Sequence, residues 1–98
     1  MKSKEIKEHG HHHDPAIKKK ELNRLSKTIG HLNKVSRMIE IDADCAEVLI
    51  QLSACRGALN SLGKEIINEH LKHCIAHAIE DGDTEMIDSF QEAVKKFY

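Results

Sequence analysis

The chain has 98 residues, 32% of them charged, a formal net charge of −1 and three aromatics, Phe90, Phe97 and Tyr98. That length holds one domain at most, and so few large rings give a small monomeric core, so burial against another copy of the chain is expected. The apolar runs are far too short to span a bilayer, no signal-peptide pattern occurs, and three cysteines, an odd number, argue against a disulfide scaffold; a soluble, cytoplasmic protein with reduced thiols is expected.

Residues 1–13 carry few apolar positions and four histidines, His9, His11, His12 and His13. Such a segment cannot bury enough surface to order itself, and it is expected to be a flexible His-rich leader ahead of a single helical domain over 14–98. Asp14 followed by Pro15 marks a helix start, with Asp as N-cap and Pro at the first helical position. The first helix is expected to run to about Ile41. Leu22, Leu25, Ile29, Leu32 and Ile39 follow three-and-four spacing, the pattern of a helix packed along one stripe. Lys20, Arg24, Lys27, His31 and Lys34 form a second stripe, turned roughly 150° from the first at 100° per residue.

Between Ala16 and Glu40 seven Lys or Arg face only Glu21 and Glu40, whereas Glu80, Asp81, Asp83, Glu85, Asp88 and Glu92 crowd the end of the chain. The near-zero net charge hides a basic first half suited to a polyanion. By itself a basic stripe is more often a solvated helix face.

The second helix is expected to begin at Asp44, with Glu47 completing a capping box. Val48, Leu52, Cys55, Leu59, Leu62 and Ile66 keep heptad spacing, and nothing breaks the pattern until Gly82 and Asp83. Gly57 and Gly63 inside it read as places of close helix approach. Asp83 should cap a short third helix with Met86, Ile87, Phe90, Val94 and Phe97 on its apolar face. The expected fold is all-α, with three helices.

His70 and Cys74 stand four apart, on one helical face, as two ligands of one ion require. Cys45 lies twenty-five residues earlier on the same predicted helix, roughly 37 Å away at 1.5 Å per residue. One unbroken helix cannot close such a site. If all three residues hold one metal, Cys45 must come from a second copy lying antiparallel. Two thiolates and an imidazole suit three-coordinate Cu(I), and a further nitrogen suits Ni(II), Zn(II) or Co(II). On the residues alone, Cys45 reads equally well as an ordinary small apolar residue, with His70 and Cys74 incidental. Cys55 sits in the apolar stripe and is assigned to the core. His73 and His77 flank the ligand face and are assigned to solvent.

Asn23-Arg24-Leu25, Gly30-His31, Arg37-Met38-Ile39, Asp44-Cys45, Gln51-Leu52-Ser53-Ala54, Arg56-Gly57-Ala58, His70-Leu71 through Cys74, and Asp81-Gly82 together resemble the CsoR/RcnR family of metal-sensing transcriptional repressors. The resemblance covers residues 16 to 97 or so. It implies a dimeric four-helix bundle of antiparallel long helices with a short third helix, usually paired into a homotetramer. It also implies that the basic face binds double-stranded operator DNA without a helix-turn-helix and releases it when metal binds.

In this light Cys45, His70 and Cys74 are the expected metal ligands. Arg24 and Lys27 match positions associated with DNA contact, and Lys20, His31 and Lys34 extend that face. Copper-sensing members usually carry a tyrosine before the first cysteine and a glutamate on the third helix, where this chain has Asp44 and, by ungapped counting, Phe90. Nickel and cobalt sensors recruit a histidine before the first helix, and His13, thirty-two residues before Cys45, matches it.

Cu(I) is the first expectation, and Ni(II) or Co(II) with His13 as added ligand the second. Two rivals are a formaldehyde or persulfide sensor acting through Cys45, and a metal-buffering protein, which leaves the basic stripe without a task. No enzyme is expected: there is no Gly-rich phosphate loop, no nucleophile with a recognisable base and no paired carboxylate in a plausible pocket.

Overall fold

A computed structural model describes residues 14–98, apart from the side chains at 74 and 75. The expected leader, with His13, lies outside the described residues, as does the Cys74 side chain. Among the described residues there are three helices and no strand: α1 (Pro15–Glu40), α2 (Cys45–Asp81) and α3 (Thr84–Lys95). None of these helices is long and apolar enough to cross a membrane.

Each helix starts on an aspartate. Asp14 Oδ1 accepts from Ala16 N–H at 2.7 Å, Asp44 Oδ2 from Glu47 N–H at 3.1 Å, and Asp83 Oδ1 from Met86 N–H at 3.0 Å, satisfying amides that the helix itself cannot. The expected capping box forms in one direction, and the Glu47 carboxylate accepts from Gln51 Nε2 at 3.0 Å.

Two helices stop in the same way. Gly82 takes φ 69°, Gly82 N–H bonds Ile79 C=O at 3.2 Å and Asp83 N–H bonds Ala78 C=O at 2.8 Å. This is a Schellman closure. α1 ends likewise on Asp42, with φ 56°, Asp42 N–H bonding Ile39 C=O at 3.1 Å and Ala43 N–H bonding Met38 C=O at 2.9 Å. A non-glycine residue there carries a modest strain.

α1 folds back on α2, and α3 covers the later part of α2. The seam of α1 differs from the apolar stripe expected for it. Thr28 and Val35 are buried and Ile17, Glu21, Arg24, Leu25, His31 and Met38 half-buried, whereas Leu22, Ile29, Leu32 and Ile39 stay 55, 51, 38 and 60% exposed. The reason is polar pairing. Arg24 and His31 find acceptors on α2, and Thr28 Oγ1 donates back to Arg24 C=O at 3.3 Å, so the seam buries polar groups with their partners. The displaced apolar stripe faces outward, with Leu32 beside exposed Leu52 and Leu59 of α2 and Ile39 beside exposed Leu49.

α2 contributes Cys55, Leu62, Ile67 and Ala78 to the buried core. Its 37 residues make an uninterrupted rod about 55 Å long. The expected face of α3 packs on it, with Met86, Ile87, Phe90 and Val94 half-buried; Phe97, expected on the same face, is half-buried just beyond the helix end. Each contributes roughly 1 kcal/mol at that degree of burial.

Of the two glycines expected at close approaches, Gly63 is one within this chain. A Cβ built there would stand 2.7 Å from Phe97 Cζ. Gly57 has nothing within 4 Å of such a Cβ. Lys64 Nζ stacks 4.8 Å over the Tyr98 ring, so the chain ends against the middle of α2.

Candidate metal centre and nucleic-acid face

Cys45 is the first residue of α2, exposed, beside an apolar hollow of about 430 Å³ lined by Ile39, Asp42, Ala43, Val48 and Leu49. Its position follows from the cap: Asp44 stops the α1–α2 link and leaves Cys45 at the tip of the rod. His70 and Cys74 lie one turn apart on the same rod. The twenty-five residues from Cys45 to His70 are helical throughout, so about 37 Å separates them within a protomer. Ligands of one ion must all lie within about 2.0–2.3 Å of it. Among the described residues, no three His, Cys, Asp or Glu side chains come together as a metal site.

His70 is half-buried, and its ring lies 6.0 Å from that of Phe90, tilted by 44°. The residue expected at the third-helix position thus does reach the candidate ligand, and it brings an aromatic ring there. Cys55 is 1% exposed, as its core assignment requires. His73 and His77 have exposed side chains and lie 4.0 Å from Glu69 and 3.8 Å from Glu80.

The basic stripe divides into two groups. Lys27 and Lys34 are exposed. Arg24 turns into the seam, where Nη1 pairs with Glu65 Oε1 and Nη2 donates to Ser61 Oγ at 2.9 Å. Lys20 Nζ reaches the other oxygen of Glu65 at 3.3 Å. His31 Nε2 meets Gln51 Oε1 at 2.7 Å, and because the Gln51 amide nitrogen donates to Glu47, this ring nitrogen carries the proton.

Sequence reasoning missed Ser61, Glu65 and Gln51. Glu65 is 41 residues from Arg24. The available signal was that Gln51 and Glu65 share the face of α2 that carries Cys55 and Leu62, with Ser61 one turn before Glu65 at its edge.

A family model described as metal-sensitive transcriptional repressor matches residues 17–96. The chain is 34% identical over 76 residues to the copper-sensing transcriptional repressor CsoR of Bacillus subtilis (strain 168), a match covering 76% of this chain and 75% of that protein. It is 39% identical over 79 residues to the CsoR of Mycobacterium ulcerans (strain Agy99), covering 80% and 68%. Among solved structures it superimposes on the copper-sensing repressor CsoR with Cu(I) from Geobacillus thermodenitrificans NG80-2, with a TM-score of 0.79, 27% identity, and 89% and 92% of the two chains covered. It also superimposes on the nickel-responsive transcriptional regulator InrS, with a TM-score of 0.65, 35% identity, and 92% and 100% covered. With sequence and fold agreeing over nearly the whole helical part, the chain belongs to the family of metal-sensitive transcriptional repressors.

Proposed function

We propose that the protein is a copper-responsive repressor that binds double-stranded operator DNA without metal and leaves it when Cu(I) binds. Its sensing domain is residues 14–98, preceded by the His-rich segment 1–13. The observation that carries this reading is the unbroken α2, which keeps Cys45 about 37 Å from His70. The donors meet only if Cys45 of one protomer joins His70 and Cys74 of another, so holding a metal depends on how protomers are arranged. Two thiolates and one imidazole fit a soft monovalent ion, and the named copper sensors among the relatives support that choice.

The exposed apolar stripe of α1 and its neighbours on α2 supply the surface for an antiparallel dimer, and two dimers for a homotetramer. Without metal, the exposed Lys27 and Lys34 of several protomers, with Lys20 and Arg24 turned out of the seam and His31 beside them, face DNA phosphates, gaining affinity by counterion release. Cys45, His70 and Cys74 converge only in an arrangement that presents these cations less favourably. Differential affinity for the two arrangements couples the sites.

A second reading is a Ni(II) or Co(II) sensor with His13 as fourth ligand. It is favoured by Phe90, which sets a ring beside His70 that accepts no strong hydrogen bond, and by the likeness to a nickel-responsive regulator.

Fluorescence anisotropy on promoter DNA tests both readings, with reduced protein titrated anaerobically with Cu(I) and separately with Ni(II). Release by Cu(I) that Cys45→Ala abolishes supports the copper reading. Release by Ni(II) alone replaces it with the second, and DNA binding that neither ion touches refutes both.

A further inference from the structure

The two cations at the start of the basic stripe share one anion. Glu65 presents Oε1 to Arg24 and Oε2 to Lys20, while Ser61 takes a second Arg24 donor at 2.9 Å. One carboxylate thus stands between the two cations as a bridging phosphate would. The Glu65 side chain is 22% exposed, against 36% for Arg24 and 68% for Lys20, so both cations can turn outward while Glu65 stays on α2. Glu65 also stands five residues before His70 on the same unbroken helix, roughly 7.5 Å along the axis.

We propose that Glu65 is a built-in competitor for DNA phosphates, holding Lys20 and Arg24 when the protein is off DNA and giving them up when it binds. This rests on the DNA-binding reading above and adds its regulation. Part-exposed ion pairs contribute little to folding, so exchanging this one for phosphate contacts costs the fold little. Because Glu65 and His70 ride on one rod, a shift of α2 against α1 that brings His70 to a second protomer's Cys45 also resets the grip on Arg24. Metal binding then closes the clamp and DNA binding opens it.

The test compares wild type, Glu65→Gln and Glu65→Ala by anisotropy on a duplex from upstream of the protein's own coding sequence, across a salt series, with and without Cu(I). Both variants should bind metal-free DNA more tightly, about fivefold per engaged protomer. Their plot of log affinity against log salt should steepen by about one unit per engaged protomer, because one opposing charge is gone. The ratio of metal-free to metal-bound affinity should shrink. Glu65→Asp, which keeps the charge, should stay near wild type in salt slope. Weaker binding by both neutral variants, or an unchanged slope, would show that Glu65 merely braces Arg24 and overturns the proposal. A wild type that binds no DNA at any salt refutes the DNA-binding reading itself, and this proposal with it.

Discussion

Mixing two inactive variants should restore metal binding, by an amount fixed by the geometry of α2. Cys45→Ala removes the donor at the tip of the rod, and His70→Ala removes one about 37 Å along it. On the shared-site reading, each variant alone lacks a complete site. Refolding equal amounts together yields about half mixed dimers if pairing is random. In a mixed dimer, one site takes Cys45 from the His70→Ala chain and His70 with Cys74 from the Cys45→Ala chain. The other site has lost two ligands. One intact site in every second dimer amounts to about one quarter of the wild-type capacity. The assay is anaerobic Cu(I) titration against a chelator strong enough to strip the residual His70–Cys74 pair. A mixture that holds no more metal than the separate variants would refute the shared site, as would full capacity in Cys45→Ala alone.

Backbone changes give further checks. Asp42→Gly relieves the left-handed residue that ends α1 and should raise stability by about 0.5–1 kcal/mol in urea melts; a lower midpoint would mean that the aspartate side chain matters there. Gly57→Ala, with open space around its Cβ, should gain about 1 kcal/mol of helix propensity, whereas Gly63→Ala forces the Phe97 ring aside and should fall below it by about 1–3 kcal/mol. Equal midpoints for the two would contradict the packing of Phe97 on α2, and a loss for Gly57→Ala would place another protomer's helix against it.

What the sequence made legible was local. Asp14, Asp44 and Asp83 cap because a side chain two or three residues from an unpaired amide needs no tertiary partner, and Gly82 stops α2 for an equally local reason. The distance from Cys45 to His70 was legible too, since helix rise is fixed once nothing interrupts the helix. The seam of α1 was not. Its apolar stripe through Leu22, Ile29 and Ile39 promised packing against α2, yet the face that packs is centred on Thr28 and Val35, with Arg24 and His31 drawn in by Glu65 and Gln51. Such pairings join residues 20 and 41 apart and leave no periodic trace in the chain. The left-handed turn at Asp42 escaped notice because aspartate lacks glycine's signature there. Phe90 was placed by ungapped counting against the family pattern, and its approach to His70 depends on α3 folding back on α2.

The continuity of α2 has a consequence for how steep a response can be. Each rod carries a thiol at its tip and an imidazole far along its length, so in the antiparallel pair proposed above every rod would serve two ions at once. The first ion to close one end would fix the register of both rods, and with it the spacing of donors at the other end. The entropy of alignment would fall on that first event, and the second ion would meet ligands already in place. Two sites at opposite ends of a rigid pair would then fill as one, turning a graded rise in metal into a threshold.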